Sequence, residues 1–297
     1  MSHKFFYHYF SGVTDEKGIN YSLKSLQDGK ISFAHIRYFN DPCEFSFSPD
    51  ENTRGKSNFD MRYEYELQLR LFCFSETFQN PLMWGHYGNS HQGFCVGYDQ
   101  DDILGIPEYQ ICFGKVHYSD DIPCLPEEDI NNGLALFYKS SDWEKENEWR
   151  ASICLNFSDQ YKISKTEFIG AREDWLKENP FFERAVDSHL RLPLSIRPTD
   201  SAARDKISKI RKSNNNFEIG GYAYSPLKEK ATGKIVYAKF PMRVEGSLKA
   251  KIIYIGIKTP DEVRIALKEY AKLNGIDIYE MGIEQGTYSF FPKKIIL

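Results

Sequence analysis

The chain has 297 residues, 41% hydrophobic and 27% charged, which suits one large or two modest globular domains. Its net charge of −4 and pI of about 6.0 argue against a surface built broadly to neutralise phosphates, although a local basic groove stays open. Aromatic residues make up 15%, and since they favour strands and bury large areas they point to a β-rich core.

Phe5–Phe10 reads as a first strand, followed by a helix over Ile19–Gln27 that ends at Asp28-Gly29. Lys30–His35 is a second strand, and Arg37–Glu44 is a turn-rich loop around Asn40, Asp41 and Pro42. Residues 50–58 read as an exposed loop and 61–67 as a helix. Strands at Leu69–Phe74 and Gly93–Tyr98 flank a turn and short helix that carry Ser75, Glu76, Trp84, His86, Tyr87 and His91. Tyr109–Tyr118 supplies one or two strands, Gly133–Ser140 a helix ending at Lys139, and Ala151–Phe157 a strand entered through Asp142–Arg150. From 170 to 233 apolar density falls and charged helical patterns appear at 173–190 and 201–212. Lys206, Lys209, Arg211 and Lys212 form a basic patch there, most simply a solvated helix face. Strand, helix and two strands follow at Lys251–Lys258, Thr259–Asn274 (capped by Thr259), Asp277–Met281 and Tyr288–Phe291.

The six cysteines, Cys43, Cys73, Cys95, Cys112, Cys124 and Cys154, contain no Cys-x-x-Cys pair, and most read as small buried hydrophobes. The N-terminus lacks a signal-peptide pattern, and no apolar run approaches ~18 residues. The expected location is therefore cytoplasmic, away from membranes and with reduced thiols. No Gly-x-x-x-x-Gly-Lys-Ser/Thr or Gly-x-Gly-x-x-Gly motif occurs, which disfavours common ATPase and dinucleotide folds.

Glu144, Glu146 and Glu148 alternate at a strand entrance, so side-chain alternation predicts all three on one side. Such carboxylates suit general-base work or stabilisation of an oxocarbenium-like centre; the plain alternative is an acidic patch paired with Arg150. Trp84 and Tyr87, next to His86, either stack on a planar ligand ring or pack in the core. His86 and His91 lack zinc-motif spacing, and no metal is expected. Ser75 lacks the Gly-x-Ser-x-Gly elbow. His8 lies between Tyr7 and Tyr9 on the first strand.

Three segments together carry a resemblance. They are Tyr38–Glu44, the stretch from Cys73 to Tyr98 with its Asn-Pro-Leu-Met-Trp-Gly-His-Tyr-Gly, and Lys139 followed by Trp143, Glu146, Glu148, Trp149 and Arg150. They resemble the bacterial family called domain of unknown function 2971, over nearly the whole chain except 170–233. That resemblance implies no settled activity, only a bacterial accessory protein, some members suiting phage defence or toxin systems. In motif order the chain is also similar to ADP-ribosyltransferases: His8 on an early strand, Phe74-Ser75 on a later one, and Glu148 entering a still later one. Glu144-Lys-Glu146-Asn-Glu148 resembles the alternating-Glu motif of their arginine-modifying branch, although a Ser-Thr-Ser triplet is missing.

The expected fold is α+β, a mixed and largely antiparallel sheet core with flanking helices, in one domain over 1–297 with a mostly helical insertion at 170–233. The expected activity is NAD-consuming ADP-ribosyl transfer to a protein or nucleic acid, or NAD hydrolysis. Glu148, Glu146 and His8 would be catalytic. Trp84, His86, Tyr87, Ser75, Arg37, Asn40, Asp41 and Arg150 would bind substrate, with Arg37 or Arg150 on the pyrophosphate. Two alternatives stand beside it. One is a nucleic-acid binder or metal-dependent nuclease using Asp41, Glu44, Glu76 and the Glu run. The other is a non-catalytic sensor or partner subunit docking through 170–233.

Overall fold

The computed structural model describes residues 4–16, 18–51, 67–155, 160, 162–163, 167, 217–219, 222–228, 235–287 and 289–297. Its centre is a ten-stranded sheet. In chain order the strands are β1 (Phe5–Phe10), β2 (Lys30–Ala34), β3 (Leu69–Ser75), β4 (Phe94–Asp99), β5 (Cys112–Lys115), β6 (Glu148–Cys154), β7 (Arg243–Ser247), β8 (Ile252–Ile255), β9 (Asp277–Ile283) and β10 (Phe290–Lys294). They lie in the order β7–β2–β3–β1–β4–β8–β9–β10, with β6 against β3 and β5 beyond β6. Among the described strands of this sheet only β8 and β9 pair in parallel. The crossover between them is the helix α5 (Asp261–Asn274), the connection that parallel strands need. The fold is thus α+β with a mixed, mostly antiparallel sheet.

The other helices are α1 (Tyr21–Gln27), α2 (Pro81–His86), α3 (Gln100–Leu104) and α4 (Glu127–Asn131). Asn20 caps α1 by accepting the Leu23 N–H at 2.9 Å, so the helix starts after the exposed Ile19. Leu26 of α1 and Val263, Leu267 and Ala271 of α5 bury one face of the sheet, together with Phe6, Phe33, Phe72 and Phe74. Each of these side chains except Ala271 contributes about 1.5–3 kcal/mol of burial. Thr259 does not cap α5. Its hydroxyl lies 2.6 Å from the Gly93 carbonyl and 3.0 Å from that of Gly256, and Pro260 takes the cap position. The helix expected at 133–140 is instead a 3₁₀ turn, Leu134–Phe137, followed by a short strand, Tyr138–Ser140, paired with His117–Ser119.

The sheet divides at β3. β6 pairs with β3 throughout, from Glu148 opposite Ser75 to Cys154 opposite Leu69. β1 meets β3 through one pair, Tyr7 opposite Ser75. β2 also meets it through one pair, Ala34 opposite Leu71. Both neighbours therefore diverge from β3 over Phe72, Cys73 and Phe74, and a wedge opens between them.

Within the expected helical insertion, Phe217–Ile219 and Tyr222–Lys228 are strands, joined with Ile235–Pro241 and Lys162–Ile163 in a four-stranded antiparallel sheet. The helices expected at 173–190 and 201–212 and the basic patch lie outside the described residues, as do most of the 50–58 loop and of the 61–67 helix. No described helix is long and apolar enough to cross a membrane.

Candidate active site in the split of the sheet

A cavity of about 710 Å³ lies where β1 and β2 part from β3, walled by these strands and by α1. That volume is in the range of small-molecule sites. Cross-strand partners point to the same face of a sheet. The register therefore puts Ser75 with Glu148, and Cys73 with Arg150, on one face, while Phe74 and Trp149 turn into the opposite core.

On this face two cations and three carboxylates are buried together: Lys139, Arg150, Glu44, Glu146 and Glu148. Lys139 Nζ donates to Glu146 Oε2 at 2.6 Å and to Glu148 Oε2 at 3.0 Å. Arg150 Nε and Nη2 donate to the two oxygens of Glu148 at 2.9 and 3.0 Å. Its remaining N–H groups reach both oxygens of Glu44 and the Leu136 carbonyl. All five guanidinium donors are thus used. Burial opposes the charge of Glu148, but Arg150 and Lys139 outweigh it and hold the carboxyl down at about 2. Burial likewise works against Lys139, and Glu148 and Glu146 outweigh it, so the ammonium is held charged. At Glu44 burial prevails over Arg150 and pushes the carboxyl up.

Glu146 and Glu148 differ in what they still accept. Glu148 receives three N–H bonds, which fill three of the roughly four acceptor positions of a carboxylate. Glu146 receives Lys139 on one oxygen and the Tyr87 hydroxyl, at 2.6 Å, on the other, and so keeps capacity on each. Burial and then Glu146 raise the Tyr87 phenol, which keeps its proton. Asn40 lies 3.3 Å from the same hydroxyl. Ser75 is spent on structure: its hydroxyl donates to the Glu146 carbonyl at 2.7 Å and fixes the turn that carries Glu146.

Glu144 does not join its neighbours. Ser141–Glu146 is a 3₁₀ turn that ends at Asn147 with φ 46°, and the strand begins only at Glu148. Strand alternation does not extend back along the run, so Glu144 is exposed while Glu146 and Glu148 are buried.

His8 occupies the wedge. Its Nδ1 lies 2.6 Å from the Cys73 carbonyl, a backbone acceptor beside the gap between β1 and β2. A carbonyl can only accept, so Nδ1 carries the proton and Nε2 is left as an acceptor. The ring stacks on Phe72 at 4.1 Å and lines the cavity. Burial lowers its pKa to about 4, against the help of the Cys73 carbonyl. An NMR titration of the His8 ring should therefore show a neutral imidazole down to about pH 4; a midpoint near the ordinary 6.5 would contradict this environment.

Of the residues expected to bind substrate, Tyr87, Asn40 and Ser75 line the cavity, as do His8, Glu146 and Glu148. Trp84 does not. It is 1% exposed, packs with Tyr9, Met83, Cys95 and Tyr254, and donates its indole N–H to the Phe78 carbonyl at 2.7 Å, so it offers no face for stacking. His86 is exposed at the end of α2, outside the cavity wall. Arg37, on the 3₁₀ turn Ile36–Tyr38, and Asp41, buried and accepting the Cys43 N–H at 2.8 Å, are also outside it. Arg150 is 1% exposed with every donor occupied, so it cannot take a pyrophosphate.

Residues 83–151 match the model of a family described as Protein of unknown function (DUF2971). The matched stretch holds Tyr87, Lys139, Glu146, Glu148 and Arg150, and it leaves out β1, β2 and β7. No curated protein and no solved structure matches the chain.

Lys139 was legible only as part of a motif, because the expected helix hid its burial. Arg243 and Glu245 also line the cavity. Their signal was the alternation Arg243-Val244-Glu245, which on a strand puts both charges on one face.

Proposed function

We propose that this chain consumes NAD in the manner of an ADP-ribosyltransferase, transferring ADP-ribose to a macromolecule or to water. The observation that carries this reading is that His8, Glu146 and Glu148, from β1, a 3₁₀ turn and β6, all line one cavity at the split of the sheet, His8 from the Phe72 side and the carboxylates from the Ser75 side. Glu44, Glu146 and Glu148 exceed Lys139 and Arg150 by one negative charge when all are ionised. That potential favours positive charge developing on a bound ribose. When the ribose–nicotinamide bond breaks, its electron pair leaves with nicotinamide. The incoming nucleophile forms the new bond to the same carbon and gives up its proton, for which Glu146 has free acceptor positions. His8, neutral and with Nε2 as an acceptor, suits a ribose hydroxyl.

The nuclease alternative draws less from this geometry. Glu76 is turned away to Lys115, at 3.0 Å, and to the Trp149 indole, at 2.8 Å, and Glu44 is tied to Arg150. Among the described residues no group of three His, Cys, Asp or Glu side chains is placed to hold a metal ion.

The test is release of nicotinamide from NAD by the purified protein, alone and with protein extract, RNA or DNA as acceptor. Release above the spontaneous rate is the expected result. No release under any of these conditions would sink the reading.

A further inference from the structure

The cavity has a second charged end. Arg243 and Glu245 stand on β7, and the register runs from Arg243 across Ala34 of β2 to Leu71 of β3. Cross-strand partners share a face, and Leu71, Cys73 and Ser75 alternate along β3. Arg243 and Glu245 thus rise from the same face of the sheet as Glu148, which lies opposite Ser75. By ordinary strand spacing and rise, the Arg243 and Glu148 backbones are about 20 Å apart. With both side chains reaching inward, a ligand touching the two ends is longer than a single sugar.

The cations along this cavity differ in what they have left to give. Lys139 is held between Glu146 and Glu148. Lys30 Nζ donates to Ser247 Oγ at 2.8 Å and lies 3.6 Å from Glu108. Arg243 is exposed, and its guanidinium carbon lies over the Tyr38 ring, 4.5 Å from the centroid. Among the described residues no carboxylate or carbonyl takes its N–H groups. Stacking uses the face of a guanidinium and leaves its N–H edge free, and that edge matches phosphate oxygens two at a time. Glu245 is two residues along the same strand and lines the same wall. A carboxylate there accepts from sugar hydroxyls and repels a bare polyanion.

We infer that Arg243, held by Tyr38, is the phosphate-binding residue of this cavity and that the ligand is a nucleoside diphosphate ester, its phosphates at the β7 end and its far sugar at Glu146. The assignment rests on the proposed NAD chemistry for the identity of the far sugar. The phosphate site itself can be tested without catalysis.

Calorimetric titration of the wild-type protein with ADP and with adenosine measures what the phosphates add to binding. Arg243→Ala and Arg243→Lys are measured beside it, with circular dichroism to check folding; the exposed position makes loss of fold unexpected. Wild type should bind ADP at least tenfold more tightly than adenosine. Arg243→Ala should lose that advantage and Arg243→Lys should keep part of it, because an ammonium offers charge without the fork. Equal binding of ADP and adenosine by wild type, or undiminished ADP binding by Arg243→Ala, would overturn the assignment. The two readings separate cleanly. An Arg243-dependent ADP advantage without nicotinamide release keeps the phosphate site and removes the NAD chemistry. Nicotinamide release with the same KM in Arg243→Ala keeps the chemistry and removes the site.

Discussion

Glu148→Gln should lower the stability of the fold by about 3–5 kcal/mol, the usual cost of removing one partner from a buried ion pair. The carboxylate accepts from both Lys139 and Arg150. A glutamine amide in its place offers one oxygen and turns an NH2 toward groups that can only donate. Arg150, at 1% exposure, then keeps Glu44 as its one carboxylate partner beside the Leu136 carbonyl. Urea denaturation at pH 7 measures the effect, and a change below about 1 kcal/mol would show that the cluster carries little of the stability. The pH dependence supplies a second reading. In the fold Glu148 titrates at about 2, against an ordinary 4.5. The unfolded chain therefore takes up the proton first as pH falls. The stabilisation is fully present above about 4.5 and is lost on the way down to about 2, and it amounts to about 3 kcal/mol. Glu44 moves the other way, since burial raises it, and offsets part of this slope. Glu148→Gln should remove the Glu148 contribution, so the acid limb of the variant should be shallower than that of wild type.

This cluster marks how far the sequence could be read. Some strands were legible because runs such as Phe5–Phe10 and Leu69–Ser75 are too apolar and aromatic to stay in water, and their observed bounds differ little from those expected; the strands Ile235–Pro241 and Arg243–Ser247 were not expected. The convergence of β1, the 3₁₀ turn and β6 was legible only as motif order, since nothing local fixes which strands become neighbours. Three local rules misled. Trp84 sits among polar residues, yet helix α2 turns it inward against Tyr9 and Tyr254. Lys139 looked like a helix end, yet the strand Tyr138–Ser140 buries it between two carboxylates. Arg150 looked like a phosphate ligand, yet Glu44, 106 residues earlier, completes its neutralisation. For Trp84 and Arg150 a partner distant in sequence decided the role; for Lys139 it was two carboxylates 7 and 9 residues on. Arg243 is the converse: it comes from a strand more than 90 residues after Glu148, and only the β7–β2–β3 register shows that it shares the cavity.

Glu146→Gln should separate chemistry from architecture. Glu146 is as buried as Glu148 but carries two accepted hydrogen bonds where its neighbour carries three, which leaves it more open positions for whatever enters the cavity. Glutamine keeps an acceptor for Lys139 or for the Tyr87 hydroxyl but cannot take a proton. Lys139 still has Glu148, so the stability cost should stay near that of one hydrogen bond to a charged group, about 1.5–3 kcal/mol. If Glu146 receives the proton of the incoming nucleophile, kcat for nicotinamide release should fall by about 10²–10⁴, while calorimetric binding of ADP-ribose changes little. Tyr87→Phe should fall between the two, because it removes the hydroxyl that orients Glu146 without removing the base. The ordering matters more than either number. Should Glu146→Gln retain full turnover while Glu148→Gln, refolded and shown native by circular dichroism, loses it, the base would have to be Glu148 after all. Its one remaining acceptor position, on the side of the sheet it shares with Cys73, would then have to take the proton, and Cys73→Ala, which makes room on that side, should raise kcat rather than lower it.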